Sequence, residues 1–471
     1  MSLRVILAVV LVGTEASVFA ADWIRPAVTR RNASFVVEKS FQKGTAVRRA
    51  TLKASAAGIG VWHLNGHRIG RDYYEPVVTY YEKEILCRTY DVTALLADEN
   101  VLTAEVGGGW WEQNLAWACE RRTNLLGVGY GTPAVWGELT LERSDGTTTV
   151  IGTDTTWRGG FGRVVWNNIY GGEIYDARGR VQPSFAVVRA TDVTGSLRPS
   201  DVEPCRELRR LAGWPTSLYG KSGDFWIYDF GTNIAGTVAF NLPPLVPGSR
   251  LKVRLSEALT TEGFLDVRSE GSWATHHAPE YVYLAPETPA AATWTPEFSY
   301  SSFRYAEVSG YEPFPDRDWG ACPPSNLVEA VLIATDVKTT GGFACSHAPT
   351  ESIVAIADNT IRCNFHGLPE DCPGREKGGW LGDAQLVCAY ALQKWDLHSL
   401  YVKFMDDLAL GTQLKGVIPF QVPTRRAFSS TRRPDSSPRS ARRSPTPTPQ
   451  ARRWSSSGSA RTSRSSPTTA L

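Results

Sequence analysis

The chain has 471 residues, with 50 Lys and Arg against 48 Asp and Glu for a formal net charge of +2. That length calls for more than one domain and is ample to bury several cores. A mean hydropathy of −0.23 and balanced charge exclude a multi-span membrane protein, and eight Cys without any Cys-x-x-Cys spacing exclude a disulfide scaffold.

In chain order, Met1-Ser-Leu-Arg4 is a short basic start, Val5 to Gly13 is apolar, and Val18-Phe-Ala20 sets small residues at cleavage spacing. Residues 1–20 read as a secretory signal peptide, too short to span a bilayer, and predict a periplasmic or secreted protein. From 21 to 195, Phe35-Val-Val, Leu52-Lys-Ala-Ser, Gly60-Val-Trp-His-Leu and Val101-Leu-Thr-Ala-Glu-Val alternate between Gly, Asn and Asp turns, the pattern of a β-sandwich. Asn65-Gly66 is a two-residue hairpin signal. A second β-sandwich is expected over 196–340, where Thr237 to Leu242, Arg250 to Leu255 and Val328 to Ile333 alternate and Pro243-Pro244 and Pro247-Gly248 mark turns.

The period then changes. Over 341–423, Ile353, Ile356, Ala357 and Ile361 fall at helical spacing after a Thr350 N-cap; further helices fit Ala384 to Lys394 and Leu397 to Leu410. Three helices leave Ile353, Val387, Tyr390, Tyr401 and Phe404 without an apparent partner layer. From Arg425 to the end there are eleven Arg, no Lys and one acidic residue, Asp435, so the part before it is acidic. Residues 424–471 are expected to be disordered. Their Arg/Ser/Pro composition fits a reading-frame change in a GC-rich gene better than a Lys/Arg nucleic-acid arm or an O-glycosylated stalk.

The chemistry concentrates in Asp371-Cys-Pro-Gly-Arg375-Glu376-Lys-Gly-Gly-Trp380-Leu-Gly-Asp383-Ala384. Pro and Gly keep its first half out of helix, so it can present carboxylates, a guanidinium and an indole into a cavity. Carboxylates crowded near one Arg have their pKa values pushed apart, as acid/base chemistry on sugars requires. Seven His without a His-Glu-x-x-His or Cys/His cluster give no sign of a metal, and no cofactor motif is seen; His276-His277 reads as a surface pair and most Cys as small buried hydrophobes.

That motif resembles the active-site signature of bacterial α-L-rhamnosidases, glycoside hydrolase family 78, with every fixed position matched. Phe230-Gly231-Thr-Asn233-Ile-Ala-Gly236, Trp294-Thr-Pro296-Glu-Phe298 with Phe303-Arg304-Tyr305, Gly107-Gly108-Gly109-Trp110 and Gly172-Glu173-Ile-Tyr175-Asp176 resemble other blocks of the family, from about Trp23 to Pro423. The resemblance implies two β-sandwich modules leading into an α/α barrel, here incomplete. It implies inverting hydrolysis of terminal α-L-rhamnose from a glycoside or polysaccharide. Residue by residue it makes Glu376 the general acid and Asp371, Arg375, Trp380 and Asp383 the sugar-binding groups. The family's base is a downstream Glu. No position here corresponds to it, since the segment from Thr424 has no Glu; Glu370 and Asp406 are the carboxylates left to serve. Two other readings remain: a carbohydrate-binding protein using Trp110-Trp111, Trp117 or Trp166, or an α/α-barrel glycosidase for another sugar.

Overall fold

A computed structural model describes residues 21–112, 129–179, 181–216, 225–270, 278–315, 322–412, 416 and 418–423. The signal-peptide and tail readings, Trp117 and His276-His277 lie outside these residues. All of the described residues fall in one unit, Met1–Arg425.

Alternation along the early strands builds a twelve-stranded sheet. One part holds Val47–Ala57, Glu84–Asp91 and Ala134–Arg143; another holds Phe35–Gln42, Ile59–Leu64 and Glu99–Gly107. Ile24–Pro26, Phe185–Arg189 and Arg158–Phe161 join them. Leu52, Leu139 and Leu141 from the first part meet Val37, Trp62 and Leu102 from the second in one core, as a sandwich pattern requires. Asn65 and Gly66 have φ of 54° and 78°, and Leu64 pairs with His67, which is the geometry of a tight hairpin turn.

The second sheet has ten strands. Its centre is the long strand Phe225–Leu242, flanked by Ser301–Ser309 and Val328–Thr335. The Phe230-Gly231-Thr-Asn233 block is a bulge in it, where pairing slips between Asp229 and Ile234 and Gly231 has φ 78°. One face packs Phe240, Trp294, Tyr283 and Phe303 together. The other buries Ala239, Val331, Ile333 and Tyr300 against Ile59 of the first sheet, Tyr74 from a loop beside it, and Trp110 and Trp111 of the short helix Gly109–Glu112. Trp110 and Trp111 are therefore core, and only Trp166 of the described candidates is partly open.

The expected boundary at 195/196 does not separate the sheets. The hairpin Val164–Asn168 and Gly172–Asp176 belongs to the second, running parallel to Glu280–Leu284, while Ser196–Pro199 pairs with Glu84–Asp91 in the first. Buried Glu173 helps tie the hairpin there: its carboxylate accepts the Phe298 N–H at 2.7 Å and the Ser299 hydroxyl at 2.9 Å.

Three helices follow, Ala348–Arg362, Leu381–Lys394 and His398–Gly411. The first is capped by His347, not Thr350, because Pro349 suits an initial turn that needs no donor; Thr350 lies inside that turn, 2.8 Å from His347 Nδ1. The second starts at Leu381 rather than Ala384, with Trp380 at its cap. Phe404 is buried with Tyr80, Leu368, Ala384 and Val422, and Val387, Tyr390 and Tyr401 are half-buried, so these four do have partners. Ile353 does not; nor do Ile356, Leu386 and Met405, which are 67%, 79% and 59% exposed. Among the described residues no helix is long and apolar enough to cross a membrane. Only Cys87, Cys205 and Cys363 of the seven described Cys are buried; Cys322 and Cys345 are exposed, contrary to the reading of most as core.

Gly236 has φ 148°, and a Cβ there would stand 2.0 Å from the Val331 carbonyl. Gly236→Ala should destabilise the chain by about 2 kcal/mol or more in urea unfolding, because neither the strain nor the backbone clash can be relieved by a rotamer change.

Candidate active site

The motif forms a closed loop between the first two long helices. Asp371 brackets it: its N–H donates to the Gly378 carbonyl and its Oδ1 accepts the Gly378 N–H, each at 2.9 Å. Inside the bracket the Cys372 thiol donates to Asp371 Oδ2 at 2.9 Å, and Cys372 Sγ accepts the Glu376 N–H at 3.2 Å. Lys377 takes φ 51°, uncommon for a residue with a side chain, and this turns its ammonium inward. The ammonium donates to the Tyr300 carbonyl at 2.8 Å and to the Pro373 carbonyl, 4.0 Å from the Tyr300 ring centre. Beneath it the Tyr300 hydroxyl bonds Glu370, whose other oxygen is 3.1 Å from His366 Nδ1; His366 Nε2 is 2.9 Å from the Ile333 carbonyl. The loop is thus pinned to the second sheet.

Two glycines let the segment from Phe420 to Val422 lie against it. A Cβ on Gly378 would stand 2.1 Å from Gln421 Nε2, and one on Gly379 2.0 Å from the Val422 carbonyl. Val422 N–H reaches the Gly379 carbonyl at 2.9 Å, and Phe420 stacks on Trp380 at 5.3 Å between centroids.

The open side of the loop gathers three of the five expected residues. Glu376 Oε2 accepts the Trp380 indole N–H at 2.9 Å, and Glu376 Oε1 lies 3.6 Å from the Arg375 guanidinium. Tyr170, from the hairpin that changes sheets, donates its hydroxyl to the Glu376 carbonyl at 3.4 Å. Asp371 shares the loop, but its oxygens serve the loop's own backbone and thiol. Asp383 lies exposed in the first turn of Leu381–Lys394. Burial raises the Asp371 carboxyl to about 6, against the pull of the Cys372 and Gly378 bonds, and raises the Cys372 thiol to about 12. Sequence reasoning missed Lys377, Tyr300, Glu370, His366 and Tyr170 as supports. Glu370 and His366 stand just before the motif, and their spacing of four was a usable signal.

Three families match in turn: the α-L-rhamnosidase N-terminal domain over residues 45–198, the bacterial α-L-rhamnosidase concanavalin-like domain over 221–332, and the bacterial α-L-rhamnosidase six-hairpin glycosidase domain over 338–437. The chain belongs to the bacterial α-L-rhamnosidase family. An α-L-rhamnosidase of Formosa agariphila is 35% identical over 389 residues, 78% of this chain and 39% of that protein. The solved structure of Streptomyces avermitilis α-L-rhamnosidase complexed with L-rhamnose has a TM-score of 0.74 at 27% identity, covering 83% of this chain and 37% of that one. The α-L-rhamnosidase of Dictyoglumus thermophilum shares the fold at TM-score 0.75 and 24% identity, over 86% of this chain and 46% of its own. The chain spans about two fifths of the length of the curated relatives it matches.

A carboxyl raised to about 6 in the folded chain and 3.8 when unfolded holds more protons folded. Its contribution to stability is therefore present below 3.8 and lost as pH rises through about 6. Urea unfolding between pH 4 and 7 should show that loss, and Asp371→Asn should flatten this part of the profile.

Proposed function

We propose that this chain binds terminal α-L-rhamnose of a glycoside or polysaccharide, with Glu376 as the general acid of inverting hydrolysis. The contact set Arg375–Glu376–Trp380 carries the reading: one carboxyl, held at 2.9 Å by an indole and 3.6 Å from a guanidinium, on the open side of an otherwise buried loop. Such a carboxyl can protonate a glycosidic oxygen. The Trp380 ring suits the apolar face and methyl of a 6-deoxy sugar. Arg375 and Asp383 suit charge-assisted bonds to its hydroxyls, with Asp371 setting the shape of the loop. The sugar in the Streptomyces avermitilis complex supports the same ligand class.

In this reading the three helices are part of an α/α barrel of helical hairpins, preceded by two β-sandwich modules that exchange the hairpin Val164–Asn168 and Gly172–Asp176 across the expected boundary. Residues 1–20 would direct export to the periplasm or beyond. Inversion also needs a base across the ring, roughly 6.5–9.5 Å from the acid, to activate water. Glu370 is sealed between Tyr300 and His366, and Asp406 lies 3.6 Å from Arg198 in an ion pair. Neither suits the role, so the reading assigns this chain sugar binding and the acid, with weak turnover of its own.

Calorimetry with L-rhamnose and turnover of an aryl α-L-rhamnoside test this. Trp380→Ala should weaken rhamnose binding about tenfold. Glu376→Gln keeps shape and hydrogen bonding, so binding should stay nearly unchanged while any turnover falls about 10²–10⁴-fold. Rhamnose binding that is indifferent to Trp380→Ala would place the sugar elsewhere.

A further inference from the structure

The segment Gly172-Glu173-Ile-Tyr175-Asp176 supplies no group to the acid chemistry, yet Glu173 is fully buried. A carboxyl withdrawn from water persists only where its oxygens are bonded. Its Oε1 accepts the Phe298 N–H at 2.7 Å and the Ser299 hydroxyl at 2.9 Å, and its Oε2 accepts the Glu297 N–H at 3.4 Å. All three donors lie in the short segment that leads into Tyr300. Tyr300 is the residue whose carbonyl and ring hold the Lys377 ammonium.

In the other direction along the chain, Glu173 stands three residues after Tyr170. The Tyr170 hydroxyl bonds the Glu376 carbonyl at 3.4 Å, and Lys377 Nζ is 5.8 Å from the Tyr170 ring centre. The turn between Tyr170 and Glu173 has little freedom. Asn168 Oδ1 accepts the Tyr170 and Gly171 N–H groups at 2.9 and 3.1 Å, and the Gly171 carbonyl accepts the Glu280 N–H at 2.8 Å. Gly172 has φ 102°, and a Cβ there would stand 2.1 Å from the Glu280 carbonyl. Trp110 meets the Tyr170 ring edge-on at 5.9 Å. A displacement of Glu173 is therefore passed to Tyr170. The Glu376–Lys377 peptide is held on one side by Tyr170 at its carbonyl and on the other by Tyr300 at the ammonium that follows. One carboxyl joins the two holds.

We infer that Glu173 is a positioning residue for Glu376: by tying the Tyr170 turn to the segment before Tyr300, it fixes the peptide that carries the acid. That Glu376 is the acid rests on the reading above; that its peptide is held through Glu173 does not. Burial pushes the Glu173 carboxyl up to about 8, against the pull of its bonds, so Gln is the neutral isostere for comparison. A carboxyl that only cemented the sheets could be replaced by an apolar side chain of similar volume without effect on the loop.

Hydrogen exchange of the loop amides, measured on the intact chain, separates the two. The Glu376, Lys377 and Gly378 N–H groups are bonded within the loop, so their exchange reports its local opening. Glu173→Leu keeps the volume and removes the acceptors, and should speed that exchange about tenfold or more. Glu173→Gln should hold it near the wild-type rate. Leu139→Ala, a cavity in a core that contains neither Tyr170 nor Tyr300, is the control for lost stability and should leave the loop unmoved. Tyr170→Phe combined with Glu173→Leu should open the loop by clearly less than the product of the two single effects, since one acts through the other. Ser299→Ala, which cuts one bond of the same carboxyl, should act in the same direction by less, and takes the place of Glu173→Leu if that variant does not fold. Loop exchange that rises no more in Glu173→Leu or Ser299→Ala than in Leu139→Ala overturns the assignment. So does exchange that rises as much in Glu173→Gln as in Glu173→Leu, or single effects that simply multiply. Turnover of an aryl α-L-rhamnoside that is indifferent to Glu376→Gln sinks the acid reading alone, because exchange decides the positioning by itself.

Discussion

The structure of the site depends on where one positive charge is satisfied. Lys377 is only 2% exposed, a position an ammonium tolerates only when it is fully bonded. Its partners, the Tyr300 and Pro373 carbonyls and the Tyr300 ring, lie inward, and the residue adopts a left-handed backbone to reach them. With Lys377 drawn in, Glu376 is left on the open side beside Trp380 and Arg375. The carboxyl is held there by the Trp380 indole, while the Tyr170 hydroxyl holds its backbone carbonyl.

That burial needs all parts of the chain. Tyr300 leads into the interior strand Ser301–Ser309 of the second sheet and is stacked on His366 at 4.2 Å, while Tyr74 from the first sheet's loops lies 4.9 Å from it. Tyr170 reaches the loop from the hairpin that leaves the first module for the second sheet. Glu173, three residues on, fixes that hairpin through buried hydrogen bonds and is pushed by burial to about 8. Preorganisation of a site requires supporting groups whose own positions are locked, and here the locks run through both sheets rather than through the helices alone.

Much of this was legible in the sequence, for identifiable reasons. Alternation located Phe35–Gln42, Val47–Ala57 and Glu99–Gly107, and Asn65-Gly66 fixed a hairpin, because these signals are local. The motif brought Arg375, Glu376 and Trp380 together because loop closure needs only its own Gly, Pro and Asp. Alternation tells which face of a strand is buried but not which strand it pairs with, and so the crossing of Val164–Asn168 and Gly172–Asp176 was not visible. Thr350 looked like a cap by residue type, yet Pro349 moved the start of the helix. The burial of Lys377 was not visible, because one of its acceptors, the Tyr300 carbonyl, lies far away in sequence.

The open side of the site is bordered by the helix that Trp380 caps and by the segment around Phe420. A helix buried on one side carries one apolar stripe. Leu381–Lys394 buries Ala384 and Ala391, small residues that allow close approach, and yet also carries Leu386 outward. The same duality appears in Phe420, which is exposed and stacks on Trp380. One face of the indole is therefore taken by an apolar ring, which leaves at most the other for a ligand. Its N–H is already committed to Glu376. A sugar can then meet Trp380 only through C–H contacts, while polar recognition falls to the charged groups around it. For the rhamnose proposed above, the methyl and the less hydroxylated face are what would meet the free face of the indole.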